Sequence, residues 1–152
     1  MEVLHTLEER FAGLFGGPRR AQRYQVACEA RLPVGVSMPN DRIDPEAEHY
    51  PEPILGRTRD VSESGLSLVL PWLCLGEERI DVSGYPLRIV LCLPSGVIVL
   101  HAETVRSESL VDETGRACYL VGARITHMSE HDERRYQQFL HALADKQTAR
   151  TT

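Results

Sequence analysis

Two short groups of polar side chains have the types and spacing needed to hold an anionic ligand that carries a base. The first is Arg19-x-x-x-Arg23, whose spacing of four places both guanidinium groups on one side of either a helical or an extended backbone. The second is the stretch Asp-Val-Ser-Glu-Ser-Gly, in which Asp60 and Ser62 project to one face of an extended chain. Gly65 ends this stretch, where it favours a sharp turn and the close approach of a ligand.

The chemistry of these side chains suits guanine and phosphate. An arginine can donate a fork of two hydrogen bonds to the O6 and N7 acceptors of guanine, lie flat against the ring, or clamp a phosphate. A carboxylate such as that of Asp60 only accepts, which suits the N1 and N2 donors on the other edge of guanine. The competing interpretations are a solvated basic segment at 19–23 and an ordinary turn at 60–65.

Period-two alternation predicts the strands that must carry these groups. Residues 24–32 alternate apolar and polar side chains, and five further runs resemble strands: 54–61, 66–70, 87–93, 97–106 and 117–125. The segments 94–96 and 112–116 have the composition of hairpin turns. Residues 33–53 contain five prolines among acidic and polar residues, which predicts an exposed connection.

Helical periodicity appears near the start of the chain. Apolar side chains at spacings of three and four predict an amphipathic helix: Leu4, Leu7, Phe11 and Leu14. Gly16, Gly17 and Pro18 end it and form a hinge next to the paired arginines. Ligand binding at those arginines would re-aim the helix, unless the helix packs permanently on the rest of the protein.

A second helix closes the chain. Ser129 has the side chain of an N-cap, and the Asp132 carboxylate can reach back to the start of the helix and complement its dipole. The predicted buried stripe of this helix consists of Tyr136, Phe139, Leu140 and Leu143.

These elements predict a mainly β fold. Six antiparallel strands joined by tight turns, with no βαβ alternation, favour a small antiparallel barrel with both terminal helices packed outside it. The expected organisation is an N-terminal amphipathic helix and hinge at 1–17, a barrel domain with its C-terminal helix at 18–146, and a disordered tail at 147–152.

The composition narrows the classes of function. With 152 residues, of which 42% are hydrophobic, the chain can form one domain with a core but not a second. Its net charge of -5 opposes binding to nucleic acid polymers and anionic lipid surfaces. No apolar stretch approaches the roughly 20 residues of a membrane span, and the N-terminus does not resemble a secretion signal. We therefore expect a cytoplasmic protein.

The sequence favours neither an enzyme nor a metal centre. His127 and His131 have the spacing of two ligands on one helix, but Ser129 as N-cap leaves His127 outside that helix. The cysteines show no Cys-x-x-Cys spacing, which favours reduced core residues: Cys28, Cys74, Cys92 and Cys118. We expect no catalytic residues, no cofactor and no metal.

Four further side chains are aromatic or basic residues outside the two motifs. Trp72 and Tyr85 flank an irregular stretch between strands and are expected at the edges of the core. Arg57 and Arg59 alternate along a predicted strand, where they form either a solvent-facing row or a support beside the candidate site.

Three motifs in order resemble the bacterial PilZ domain family. They are Arg19-x-x-x-Arg23 before the first strand, Asp60-x-Ser62-x-x-Gly65 at a strand turn, and Val-Gly-x-x-Ile at 121–125 before the closing helix. The resemblance extends from Arg19 onward and excludes the first helix. It implies a six-stranded barrel that binds the second messenger cyclic di-GMP between the first two motifs.

The resemblance also implies roles for individual residues. By position, it assigns Arg19 and Arg23 to contacts with guanine and phosphate, and it assigns the guanine pocket to Asp60, Ser62 and Gly65. Arg20 would add a contact to phosphate.

The implied function is a cyclic di-GMP receptor or effector that changes conformation, or its binding to a downstream protein, on ligand capture. The alternative is a PilZ-like protein–protein interaction adaptor that does not bind nucleotide. The connection at 33–53 is longer than the family pattern leads us to expect. The resemblance therefore does not indicate which partner binds the face that carries this connection.

Overall fold

The computed structural model describes residues 23–25, 31–42, 45–46 and 51–151. The predicted N-terminal helix and hinge at 1–17 lie outside these residues, and so do Arg19 and Arg20. The elements that follow are therefore those of the barrel and of the C-terminal helix.

Nine strands, one α-helix and a short 3₁₀ helix are assigned in the described part of the chain. The strands are β1 Arg23–Gln25, β2 Pro33–Ser37, β3 Ile54–Ser62, β4 Gly65–Leu70, β5 Cys74–Leu75, β6 Glu78–Arg79, β7 Pro86–Leu93, β8 Gly96–Val111 and β9 Ala117–Met128. The 3₁₀ helix is Asn40–Arg42, and the α-helix, α1, is Glu130–Thr151.

Six of the strands close into an antiparallel barrel. Their order is β3–β2–β7–β8–β9–β4, and β4 pairs back onto β3 to complete the ring. Strand β1 pairs with the end of β3 beyond the part that β2 occupies, and β5 with β6 forms a separate two-stranded ribbon. The mainly β fold and the six-stranded antiparallel barrel predicted from the sequence are thus confirmed.

Alternation of side chains builds the core, as β7 illustrates. Its residues Leu87, Ile89, Leu91 and Leu93 are at most 5% exposed, whereas the side chains between them are only half-buried. Because successive side chains on a strand point to opposite faces, the apolar set fills the barrel and the other set faces outward. The same rule decides which residues of the neighbouring strands face outward.

The prediction for residues 33–53 was wrong at its start. Residues 33–37 form β2, a full member of the barrel between β3 and β7. Val34 and Val36 are 3% and 0% exposed. Pro33 is tolerated because it is the first residue of the strand, where a missing N–H costs least. The strand predicted at 24–32 is observed only as β1, while 26–30 lie outside the described residues.

Both predicted hairpin turns are confirmed. Pro94 and Ser95 join β7 to β8, and Gly96 follows them with a φ of 134°, which favours glycine. In the turn between β8 and β9, Asp112 Oδ1 accepts hydrogen bonds from the Thr114 and Arg116 amides, each 2.9 Å long. The Thr114 hydroxyl also donates to this oxygen over 2.6 Å, and this bond, together with the bond from the Arg116 amide, lowers the pKa of the Asp112 carboxyl.

Helix α1 begins as the sequence predicts. The Asp132 amide donates to Ser129 Oγ over 3.2 Å, which confirms Ser129 as the N-cap. The Asp132 carboxylate lies in the first turn, where it complements the helix dipole as expected, but its Oδ2 accepts a hydrogen bond from the Val99 amide of β8 at 3.1 Å instead of reaching back to the cap. Arg135 donates to the carbonyls of Ser95 and Val97. These contacts fix the helix to the β7–β8 hairpin.

The buried stripe of α1 is also confirmed. Tyr136 and Leu140 are each 1% exposed, and Phe139 and Leu143 pack against the same core. The helix continues through residues 147–151, which the sequence assigned to a disordered tail.

Two expectations about the core were wrong. Trp72 is 55% exposed, and Cys74 is exposed in the short ribbon, while Cys118 is buried as expected. Both exposed residues lie between Leu70 and Ile80, where the chain leaves the barrel, so an apolar side chain there does not imply a core position.

Candidate functional site

The direction of Asp60 is set by a bulge in β3. Along the β3–β4 pair, Thr58 lies opposite Leu68 and Asp60 lies opposite Ser67, so one extra residue, Arg59, is inserted in β3. A bulge of this kind shifts the alternation of the strand by one residue. Side chains beyond it therefore face the opposite way from an uninterrupted strand.

The consequence of the bulge is that the polar residues lie outside the core. Val61 is fully buried opposite Leu66, in the position that would otherwise belong to Asp60. Asp60 and Ser62 then share the face directed away from the core, as the sequence predicted that they would share a face. Without the bulge both side chains would point into an apolar interior. Burying even a neutral polar group there without a hydrogen bond costs about 2–7 kcal/mol of folding free energy, and burying a carboxylate costs more.

Asp60 is buried and held in place by Ser67. Only 6% of Asp60 is exposed. Its amide donates to Ser67 Oγ over 3.1 Å, and Ser67 Oγ lies 3.4 Å from Asp60 Oδ2, to which it donates. The serine therefore fixes both the backbone and the carboxylate. Sequence reasoning missed Ser67, although its position two residues after Gly65 in a strand was a usable signal.

Ser62 closes the turn between β3 and β4. Its hydroxyl donates to the Gly65 carbonyl over 3.0 Å and accepts from the Gly65 amide over 3.1 Å. The turn itself consists of Glu63 and Ser64. Its tightness thus depends on the Ser62 hydroxyl.

Gly65 does not supply the turn conformation that we expected of it. It begins β4, and the described glycines with positive φ are Gly76, Gly84, Gly96 and Gly115. Its Cα lies opposite Arg124 of β9 in the barrel register.

Tyr136 links this turn to helix α1. Its hydroxyl donates to the Ser62 carbonyl over 2.7 Å, at a position where the tyrosine is 1% exposed. Burial raises the pKa of this hydroxyl well above its usual value of 10.0, because the charged form would lose its hydration. The sequence assigned Tyr136 only to the buried stripe, and nothing local to it indicates the bond to Ser62.

Strand β1 brings the first motif to the second. The Cα of Arg23 lies opposite Ser62, and that of Gln25 lies opposite Asp60. The backbone of Arg23 thus adjoins the Asp60–Gly65 stretch, although these residues are about forty positions apart in sequence. Arg19 and Arg20 precede this strand and lie outside the described residues.

Three other arginines lie on the strands around this turn. Arg124, opposite Gly65, forms an ion pair with Glu103 in which Nη2 and Oε1 are 2.6 Å apart. Arg59, the bulged residue, is 8% exposed, whereas Arg57 is exposed. Arg57 and Arg59 therefore do not form the solvent-facing row that one interpretation of the sequence proposed.

Metal-ligating groups and membrane-spanning helices were looked for among the side chains and helices of the described residues. The histidines, cysteines and acidic residues in this part of the chain form no group of three or more that could hold a metal ion. None of the helices among those residues is both long enough and apolar enough to cross a membrane.

Comparisons with known proteins identify a family and a fold. A family model described as PilZ domain matches residues 18–142. No curated protein matches. A solved structure described as the PilZ domain with c-di-GMP of YcgR from Escherichia coli is similar with a TM-score of 0.61 and 16% identity, over 89% of this chain and 98% of that one.

Two further solved structures share the fold with longer proteins. The MrkH–c-di-GMP complex of K. pneumonia gives a TM-score of 0.65 at 18% identity, over 88% of this chain and 54% of MrkH. The PlzA protein of Borreliella burgdorferi in complex with c-di-GMP gives 0.53 at 10% identity, over 98% of this chain and 59% of PlzA. The chain thus spans little more than half the length of either protein.

Proposed function

Since the chain belongs to the PilZ domain family, we propose that it is a cytoplasmic receptor that binds cyclic di-GMP and changes its conformation or its protein partner on binding. The observation that carries this proposal is the register of β1 against β3, in which Arg23 lies opposite Ser62 beside the buried carboxylate of Asp60. The titles of the similar YcgR, MrkH and PlzA structures name c-di-GMP, which supports the same ligand here.

Asp60 would read the base. Its carboxylate accepts hydrogen bonds and cannot donate them, so it favours the N1 and N2 donors of guanine over the acceptor edge of another base. Ser67 holds the carboxylate in one orientation, and this lowers the entropic cost of forming those bonds. The buried position of Asp60 strengthens them by excluding competing water.

The arginines would supply the opposite chemistry. Arg19 and Arg23 would donate to the O6 and N7 atoms of guanine and to the phosphates, and Arg20 would add a phosphate contact. A ligand held in this way spans the segment that leads into β1 and the turn between β3 and β4. Gly65 leaves room for it at the start of β4.

A change at this turn can reach the surface of the protein through Tyr136. Tyr136 belongs to helix α1, its ring is buried in the core, and its hydroxyl donates a hydrogen bond to the Ser62 carbonyl. A ligand that shifts residues 62–65 would therefore change the contact through which helix α1 is attached to this turn. A downstream protein that contacts α1 would sense the difference between the two states.

Isothermal titration of the full chain with cyclic di-GMP tests this function. We expect saturable binding that GTP and the linear dinucleotide do not reproduce and that weakens as salt rises, because part of the attraction is to phosphate. Arg23→Ala should weaken it, whereas Arg134→Ala, which removes an exposed arginine of α1, should not. Absence of binding by the folded chain would favour the interaction adaptor that does not bind nucleotide.

A further inference from the structure

A second polar groove lies on the outer face of the barrel. Arg88 of β7 is opposite His101 of β8, and His101 is opposite His127 of β9, so the three residues form one row across adjacent strands. The neighbours of His101 along its strand, Leu100 and Ala102, are at most 2% exposed, which directs His101 itself outward. The groove has a volume of about 610 Å³, and the 3₁₀ helix Asn40–Arg42 lines its other side.

The row carries positive charge that the described residues do not neutralise. The ring centroids of His101 and His127 are 6.0 Å apart, and the ring planes are tilted by 39° to each other. Neither ring nor the Arg88 guanidinium has a carboxylate partner within the described ranges. Arg42 faces the row from the 3₁₀ helix, and its guanidinium lies 5.3 Å from the centre of the Tyr85 ring.

Two carboxylates also line the groove, and one of them is already paired. Glu103 of β8 is bound to Arg124, with 2.6 Å between Oε1 and Nη2. Asp41 lies on the 3₁₀ helix and is exposed. Arg42 is also paired, because its Nη1 lies 4.0 Å from Glu78 Oε2. With both histidines charged, the cations of the groove without a carboxylate partner among the described residues are Arg88, His101 and His127, against the carboxylate of Asp41. The balance favours an anion.

We propose that this groove binds the phosphate group of a small molecule, and that it does so more tightly as the pH falls. A guanidinium fork beside two imidazolium N–H groups matches the several oxygens of a phosphate. Histidine is the side chain that ordinarily changes its charge between pH 5 and 8, so protonation of His101 and His127 adds the charge that attracts the anion. The volume lies within the range of small-molecule sites.

The groove is separate from the site proposed for cyclic di-GMP. The ion pair between Arg124 and Glu103 stands between the row and Gly65. The phosphate site does not depend on the receptor function, and either proposal can fail alone. The amide resonances of Arg88, His101 and His127 report on the phosphate groove, and those of residues 60–65 report on the site proposed for cyclic di-GMP.

Sulfate is the probe for this test, since its charge does not change between about pH 6 and about pH 8. The full chain, labelled with ¹⁵N, is titrated with sodium sulfate at both pH values and constant ionic strength. We expect saturable shifts at the amides of Arg88, His101 and His127, with binding about 5-fold tighter at the lower pH. Binding that is equally tight at both pH values would overturn the role of the histidines.

Matched variants locate the site. Arg88→Gln should weaken sulfate binding by about 5-fold or more, whereas Arg134→Gln, an equal charge change on the exposed face of α1, should leave it unchanged. Glu103→Gln removes negative charge from the groove and should tighten binding. Equal weakening by Arg88→Gln and Arg134→Gln, or shifts that never saturate, would show only a general charge effect and would overturn the proposal.

A phosphate group could also come from a lipid head group. Glycerol phosphate and vesicles of phosphatidylglycerol separate these sources at about pH 6. We expect glycerol phosphate to shift the same three amides, and the chain to stay in solution when the vesicles are sedimented. Co-sedimentation that Arg88→Gln abolishes would assign the groove to a membrane surface and overturn the small-molecule assignment.

Discussion

Removing one hydroxyl group from Tyr136 tests how the candidate site is joined to helix α1. In Tyr136→Phe the ring remains in the core, but the Ser62 carbonyl loses its 2.7 Å hydrogen bond. Because the bond is buried, water cannot replace the lost donor, and the Ser62 carbonyl is left without this hydrogen bond. We expect the free energy of unfolding to fall by about 1–2 kcal/mol.

Urea unfolding measures this loss. With a slope of about 2 kcal/mol per molar, the midpoint should fall by about 0.5–1 M while the slope stays the same. Tyr119→Phe is the matched control, because Tyr119 is half-buried in β9 and its hydroxyl makes no hydrogen bond to another described residue. Cyclic di-GMP affinity should also fall in Tyr136→Phe and not in the control. Equal midpoints for the two variants would refute the structural bond, and unchanged affinity would refute the coupling.

Four further results are expected. Arg19→Ala and Arg23→Ala should each weaken cyclic di-GMP binding by about 5-fold to 150-fold in calorimetric titrations, with a double variant that loses less than the product, because both arginines hold one ligand. Asp60→Asn should weaken binding although it removes a negative charge, and tighter binding would mean that Asp60 merely repels phosphate. Val36→Ala should destabilise the fold by about 2 kcal/mol in urea, whereas a change below about 0.5 kcal/mol would fit an exposed connection at 33–37 instead. Burial raises the pKa of Tyr136, so its neutral hydroxyl stabilises the fold below pH 10.0, and this contribution is lost as the pH rises further. The difference in the free energy of unfolding between the parent and Tyr136→Phe, measured in urea, should therefore become smaller at alkaline pH.

Patterns that depend on neighbours in sequence were predictable here. The alternation of β7, the two hairpin turns and the cap at Ser129 all depend on residues a few positions apart. Both binding motifs are local in the same sense. For that reason five of the six barrel strands, the closing helix and the candidate residues could be named before the structure was known.

What the sequence could not provide depends on contacts across the barrel. Residues 54–62 read as one uninterrupted strand, and only the register against β4 shows that Arg59 is a bulge that turns Asp60 outward. Ser67 and Tyr136 reach the site through pairing and packing between distant segments. The prolines near β2 indicated a loop because composition does not show that Val34 and Val36 fill the core.

The location of cyclic di-GMP on the protein tests the central claim most directly. The measurement is a titration of the ¹⁵N-labelled chain with cyclic di-GMP, followed by intermolecular contacts between ligand protons and the protein. We expect shifts at Arg23 and across residues 60–65, with a guanine placed against Asp60. In the row of Arg88, His101 and His127 we expect shifts no larger than those that sulfate produces in its own titration. Binding centred on that row, or the absence of shifts at residues 60–65, would contradict it.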